Sequence, residues 1–249
     1  MPPKIPRAVP SRGDVLSRAA LLLDIDGTLL EIAPRPDEVV VPPGLRETLA
    51  HLHHVLDGAV ALVTGRTLSD AERLFAPLKL PTAAEHAGLL RLKPDVEPLR
   101  LAVPEAPGAW RDAALAFAKE HPGVVFENKL AGFVLHYRLA PEQQQPALLL
   151  LRALLEGRED FEILPAQMAW EIRPLGVNKG MGVREIMNLS PFRGRWPIFI
   201  GDDVTDEDGI VAAESLGGLG FRVPTDFATP ADVRAWLASL TGGADAATA

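Results

Sequence analysis

The sequence of 249 residues contains no cysteine. That excludes disulfides, thiolate metal sites and a cysteine nucleophile, and it fits a reducing cytoplasm. There is no basic excess either. The 25 Lys and Arg face 33 Asp and Glu, a net charge of −8. This argues against a nucleic-acid partner but not against an anionic small substrate held by a local cluster or a metal. Long hydrophobic runs are also missing. The longest, residues 147–155, is interrupted by Arg152 and is too short to cross a bilayer, so no membrane partner is expected. The proline-rich, basic start MPPKIPRAVPSRGD lacks the apolar stretch of a secretory signal, and no repeat of solenoid length occurs. What is present is 47% hydrophobic, enough for a sizeable core in one large or two smaller domains.

Short apolar runs at 19–23, 59–63, 197–200 and 220–223 alternate with helical patterns at 43–56, 69–75, 179–188 and 206–216. Runs of this kind suit strands buried on both faces of a parallel sheet. The alternation predicts an α/β fold with a doubly wound, mostly parallel core. Between about 90 and 174 the pattern changes. A strand and a helix at 109–120 precede strands at 124–127 and 133–137. A second helix at 145–156 is followed by strands at 161–164 and 168–172. Adjacent strands with short connections indicate antiparallel hairpins, hence a smaller inserted α+β domain. The expected division is a flexible arm over 1–14, a core over 15–90 and 175–243, an insert over 91–174 and a flexible tail over 244–249.

Four strand ends carry chemistry. LLLDIDGTLL, residues 21–30, closes an apolar run with Asp24 and Asp26. Side chains two apart on an extended chain point the same way, and open α/β sheets bind ligands beyond the carboxyl ends of their strands. A solvated acidic turn would look the same in isolation. Gly27 permits a tight turn, and Thr28 can hydrogen-bond into it. AVALVTGR, residues 59–66, ends in Thr64-Gly65, where a hydroxyl and a backbone N–H suit a phosphate oxygen, although Thr-Gly is also a common turn. Lys179 heads a helix, where a cation is unfavourable to the dipole unless an anion lies against it. IFIGDDVTDED, residues 198–208, runs into five acids within seven residues. Such a cluster repels itself without a cation, and oxygen ligands are those that hard Mg²⁺ prefers. A dipole-favoured acidic helix start accounts for 206–208 but less well for Asp202 and Asp203.

Taken in order, DxDxT, a strand-end Thr, a Lys and a GDD loop resemble the haloacid dehalogenase superfamily of phosphohydrolases. The resemblance implies a HAD-like Rossmannoid core and an enzyme. In it Asp24 is the nucleophile that forms an aspartyl-phosphate, and Asp26 is the proton carrier. Thr64, Gly65 and Lys179 hold the phosphoryl group. Mg²⁺ is bound by Asp24, Asp202 and the backbone carbonyl of Asp26. Asp206 supports the metal or Lys179, and Asp203 can do either. An acid at Asp26 favours a phosphatase over the ATPase branch.

The insert resembles a C2-type cap, and EHAG (85–88), ENK (127–129), HYR (136–138), WEIRP (170–174) and NKG (178–180) resemble the trehalose-6-phosphate phosphatase family. That implies a sugar-phosphate substrate, trehalose 6-phosphate, with Arg66, His86, Glu127, Lys129, Arg138 and Glu171 as substrate-binding residues, and a cap that closes over the sugar. The plain structural alternative pairs Glu127 with Lys129 and Glu171 with Arg173 on an exposed sheet face. One departure is Ala87, where the family more often has glycine after the histidine. Other readings are a different C2-capped sugar phosphatase, such as a sucrose-phosphate phosphatase or a phosphomutase relative, and a sugar-phosphate-binding regulatory module without activity.

Overall fold

The computed structural model describes residues 7–33, 38–166 and 168–242. The chain divides into two compact units, Met1–Arg100 with Asn178–Ala249, and Leu101–Val177. In chain order the first unit opens with α1 (Arg12–Arg18), β1 (Ala19–Leu23), α2 (Leu45–Val55), β2 (Val60–Val63), α3 (Leu68–Phe75), β3 (Thr82–Ala84), β4 (Leu89–Arg91) and β5 (Leu99–Arg100). The second unit holds α4 (Gly108–Glu120), β6 (Val125–Asn128), β7 (Phe133–His136), α5 (Gln144–Leu154), β8 (Phe161–Ala166) and β9 (Ala169–Pro174). The chain returns to the first through α6 (Lys179–Met187), β10 (Trp196–Gly201), α7 (Glu207–Ser215), β11 (Leu219–Arg222) and α8 (Pro230–Leu240).

The first unit is built on a seven-stranded sheet of order β11-β10-β1-β2-β3-β4-β5. The strands β11 to β3 are parallel, and β4 and β5 add an antiparallel edge. All five residues of β1 and all four of β2 are buried, the signature of strands covered on both faces. Helix α8 packs with α1 and with α2, and α6 packs with α7. The chain winds from β1 towards β3 on one side and returns to β10 on the other, so strand order reverses between β1 and β10. Ligands of doubly wound sheets bind at that reversal.

Two expectations change. The segment 91–100 belongs with the core sheet rather than the insert, because Leu89 and Leu90 pair with Arg100 and Leu99. The described part of the supposed arm is anchored. The Arg7 N–H donates to Asp226 Oδ1 at 2.8 Å, its guanidinium meets Glu214 at 2.8 Å, and Ser11 caps α1. The tail over 244–249 lies outside the described residues.

The second unit is an antiparallel sheet of order β6-β7-β9-β8. Its apolar face, with Phe133, Leu135, Phe161 and Ile172, packs against Trp110 and Ala114 of α4 and Ala147 and Leu151 of α5. Trp110 meets Phe161 edge-on with ring centroids 5.3 Å apart, a preferred aromatic geometry. Strand alternation sends Glu127, Glu171, Arg173 and Glu162 to the opposite face.

Candidate active site

Asp24 lies one residue beyond β1, and its N–H donates to Ile200 O of β10 at 3.0 Å. The ladder therefore continues past the strand and fixes where the carboxylate emerges. Lys179, the first residue of α6, donates from Nζ to Asp24 Oδ1 at 2.8 Å and to Asp206 Oδ1 at 2.7 Å. All three are buried. The anion that compensates a lysine at a helix start is thus supplied by the protein itself. Asn178 caps the same helix by accepting the Met181 N–H, which holds Lys179 at its first turn.

One oxygen from each of Asp24, Asp202 and Asp206 lies within 4.8 Å of the others. Two buried acids, Asp24 and Asp206, and the half-buried Asp202 gather around one ammonium here. Burial pushes the Asp24 and Asp206 carboxyls up, against the attraction of Lys179. Burial, with Asp206 and Asp203 beside it, pushes Asp202 up to about 7. Lys179 is pulled down by burial but raised overall by Asp24 and Asp206, so it stays charged. The arrangement is short of positive charge, and all its donors are oxygen, the ligand type of hard divalent cations.

The remaining loop residues have distinct tasks. Asp206 Oδ2 accepts the N–H groups of Asp202 and Asp203, each at 3.2 Å. The Asp203 carboxylate instead caps the following turn through the N–H and hydroxyl of Thr205 at 2.8 and 2.7 Å. Although burial acts against its charge, Lys179 and Thr205 hold its carboxyl below the usual range. Gly27 has φ +72°, and a Cβ there would stand 2.0 Å from Asp202 Oδ2. The motif glycine is therefore what lets the β10 loop approach the β1 loop. Thr28 does not bond into its loop as expected: it is fully buried and its hydroxyl has no partner among the described residues. Main-chain bonds close that turn instead, from the N–H groups of Leu29 and Leu30 to Ile25 O and from Gly27 N–H to Leu30 O.

Asp26 is engaged elsewhere. Arg66 donates from Nε to its Oδ2 at 2.6 Å and from Nη2 to its Oδ1 at 2.7 Å, a two-point pair joining the β1 and β2 loops. The Asp26 carboxylate is not one of the three that converge, although its charge still acts on Asp24 and Asp202. Thr64 is buried at the end of β2, its Oγ1 accepting the Arg66 N–H at 3.1 Å. His86 is buried beside Gly65, where a Cβ would lie 2.7 Å from His86 Nε2. Glu85, His86 and Ala87 all have positive φ, of 51°, 55° and 83°. The departure at Ala87 is thus an alanine held in a backbone region that suits glycine, a strain of the kind concentrated at functional loops.

In the second unit Glu127 accepts from Lys129 Nζ at 3.1 Å and meets His136 Nε2 at 2.8 Å. Burial alone would raise the Glu127 carboxyl; the His136 bond and the Lys129 charge hold it at about 2. Register aligns Glu127, Val134 and Glu171 on neighbouring strands. The Glu171–Arg173 pair does not form: Arg173 donates to Glu162 at 2.9 Å, its direct cross-strand partner. Nor is that stretch exposed, since Glu171 and Arg173 are buried. Arg138 follows β7 at half burial. The Arg66–Asp26 pair and the part of His136 were not legible in sequence; the only trace of the latter is its place in the HYR motif.

A doubly wound core with two acids on the loop after β1, a strand-end threonine, a helix-start lysine and an acidic fourth loop defines a phosphohydrolase of haloacid dehalogenase fold. The profile of the trehalose-phosphatase family matches residues 22–229. The chain belongs to that family. It is 43% identical over 209 residues to a probable trehalose-phosphate phosphatase of Sinorhizobium fredii, covering 84% of this chain and 78% of that protein. It is 33% identical over 239 residues to the trehalose-6-phosphate phosphatase of Escherichia coli K12, covering 92% and 88%. Among solved structures, the C-terminal domain of the C. albicans trehalose-6-phosphate phosphatase superposes with a TM-score of 0.76 at 20% identity, covering 98% of this chain and all of that one. No helix of the described residues is long and apolar enough to cross a membrane.

Proposed function

We propose that this chain hydrolyses trehalose 6-phosphate to trehalose and inorganic phosphate, with Mg²⁺ as cofactor and the cytoplasm as its place of work. The observation that carries the chemistry is the meeting of Asp24, Lys179, Asp202 and Asp206 at the ends of the adjacent parallel strands β1 and β10. The substrate rests on family membership.

Asp24 and Asp202, with the Asp26 carbonyl, would hold the metal; Asp206 supports it through Lys179 and the loop amides, and Asp203 by shaping the turn. Bound there, Mg²⁺ supplies positive charge that offsets the dianionic phosphoryl group. The fit rests on the all-oxygen donor set and on acids whose carboxyl groups are raised where only Lys179 balances them.

An Asp24 oxygen attacks phosphorus as the bond from phosphorus to the sugar oxygen breaks, and Asp26 gives its proton to that oxygen. Water then attacks the aspartyl-phosphate and returns a proton to Asp26. Phosphate departs and the Asp24 carboxylate is restored. Lys179 keeps a fixed positive charge at Asp24 throughout. The Thr64 hydroxyl accepts the Arg66 N–H, which leaves its own proton to donate to a phosphoryl oxygen together with Gly65 N–H. His86, beside Gly65, borders the phosphate. Glu127, Lys129, Arg138 and Glu171 bind sugar hydroxyls, for which charged groups give strong directional hydrogen bonds.

The test is phosphate release from trehalose 6-phosphate, sucrose 6-phosphate and glucose 6-phosphate, with Mg²⁺ and with EDTA. Turnover of the first alone, abolished by EDTA, is the expected result. Equal release from all three removes the trehalose assignment. Tight binding of trehalose 6-phosphate without release identifies a binding module instead.

A further inference from the structure

Arg66 is expected from sequence to touch the substrate, but its geometry assigns it different work. Its main chain is pinned from both sides: the N–H donates to Thr64 Oγ1 at 3.1 Å, and the carbonyl accepts the Glu85 N–H at 3.0 Å. Its side chain is only 10% exposed, while that of Asp26 is 38% exposed. The guanidinium edge formed by Nε and Nη2 is committed to the two Asp26 oxygens at 2.6 and 2.7 Å. A buried fork on a fixed mount thus grips an accessible carboxylate at both oxygens, which removes its freedom of rotation. The same edge cannot also clasp a phosphoryl group.

We propose that Arg66 is a positioning residue that aims Asp26 at the leaving oxygen and does not serve as a phosphate ligand. This rests on the reading of Asp26 as the proton carrier. The step affected is single: the phosphorus–oxygen bond breaks, its electron pair stays on the sugar oxygen, and that oxygen takes the proton carried at an Asp26 lone-pair site that Arg66 does not use. A misaimed Asp26 slows the step only where the departing oxygen needs the proton. An alkyl alcohol such as trehalose needs it; p-nitrophenolate, a stable anion, does not.

The experiment measures alcohol release in a single turnover of the full chain with Mg²⁺, from trehalose 6-phosphate and from p-nitrophenyl phosphate, in wild type, Arg66→Met and Arg66→Lys. In Arg66→Met the release of trehalose is expected to slow by about 100-fold or more, whereas the p-nitrophenolate burst slows by less than about 3-fold. The KM for trehalose 6-phosphate stays within about 3-fold. Arg66→Lys, which can still offer one charged hydrogen bond, recovers part of the trehalose rate. Parallel loss with both substrates, or a KM rise on both at unchanged kcat, overturns the proposal and makes Arg66 a phosphate ligand. Circular dichroism checks folding. Should Arg66→Met not fold, Arg66→Lys decides by the same split: unequal slowing supports the proposal, and equal slowing overturns it. A wild type that releases no trehalose removes the substrate reading alone; the split is then taken between glucose 6-phosphate and p-nitrophenyl phosphate.

Discussion

The two units hold their charged side chains in opposite ways. In the first, Lys179 and Asp24 lie 155 residues apart in sequence, yet they meet at 2.8 Å with almost no solvent access. In the second, Glu127 and His136 are 9 residues apart, and Glu162 and Arg173 are 11 apart. A parallel sheet brings the ends of distant segments to one edge, whereas antiparallel hairpins display near neighbours across one face. The first arrangement is costly to assemble and rigid once made, because buried charges tolerate no missing partner. The second is built from local pairs and can be retuned strand by strand. Chemistry that must not vary suits the former, and recognition of a leaving group suits the latter.

If that contrast is right, substitutions in the first unit act on kcat and those in the second on KM. The largest effect is expected for Asp24→Asn, with phosphate release falling by at least about 10⁴-fold while circular dichroism is unchanged. Comparable residual turnover would end the nucleophile assignment. Lys179→Met comes next. It leaves Asp24 and Asp206 buried without their shared cation, so turnover should fall by about 10³-fold and stability by about 3–5 kcal/mol in urea unfolding. A stable but inactive variant would show that the ammonium serves only the reaction.

In the second unit, Glu171→Ala should raise the KM for trehalose 6-phosphate by about 10- to 100-fold, the worth of a charged hydrogen bond, and leave kcat within a few fold. A fall in kcat alone would erase the division of labour. The smallest effect concerns acid stability. The Glu127 carboxyl is held at about 2 in the folded chain, against an ordinary value of 4.5. Its contribution is therefore complete above about pH 4.5 and is lost as pH falls toward about 2. Acid unfolding of Glu127→Gln should lose part of the wild-type slope in that window, and identical curves would mean that the His136 and Lys129 contacts contribute nothing to folding.

Most elements of both units are legible in the sequence. Strands β1, β2, β10 and β11 and helices α2, α3, α6 and α7 announce themselves through apolar runs and period, to within two residues at their ends. The three-residue β3 and two-residue β5 are too short to carry a pattern, so the edge of the core reads in the sequence as part of the insert. Helix α8 carried a start signal that went unused, Thr229-Pro230 with Asp232 three residues beyond the cap, which forms a capping box. The motif acids of the first unit stand out because charge at the end of a buried strand is rare. The Arg66–Asp26 pair spans 40 residues between separate loops, and no local pattern reports such a meeting. The alternative that paired Glu171 with Arg173 gives way for a geometric reason: residues two apart lie side by side on a strand, whereas Glu162 stands directly across from Arg173.

Asp206 carries one more consequence, written in the symmetry of its end group. One of its oxygens takes an ammonium and the other takes two main-chain N–H groups. Each of these three hydrogen-bond partners is a donor, so the position calls for a head that accepts at both oxygens. Asparagine has nearly the same shape but is two-faced, and whichever way its amide is turned, an NH₂ confronts a donor. Glutamate keeps the symmetry but is one methylene longer, and Gly201 packs so closely that a methyl-sized addition there would meet Asp206 Cγ at 2.2 Å. The position therefore selects an acid over its amide and a short stem over a long one, for reasons of parity and length that apply before any substrate arrives.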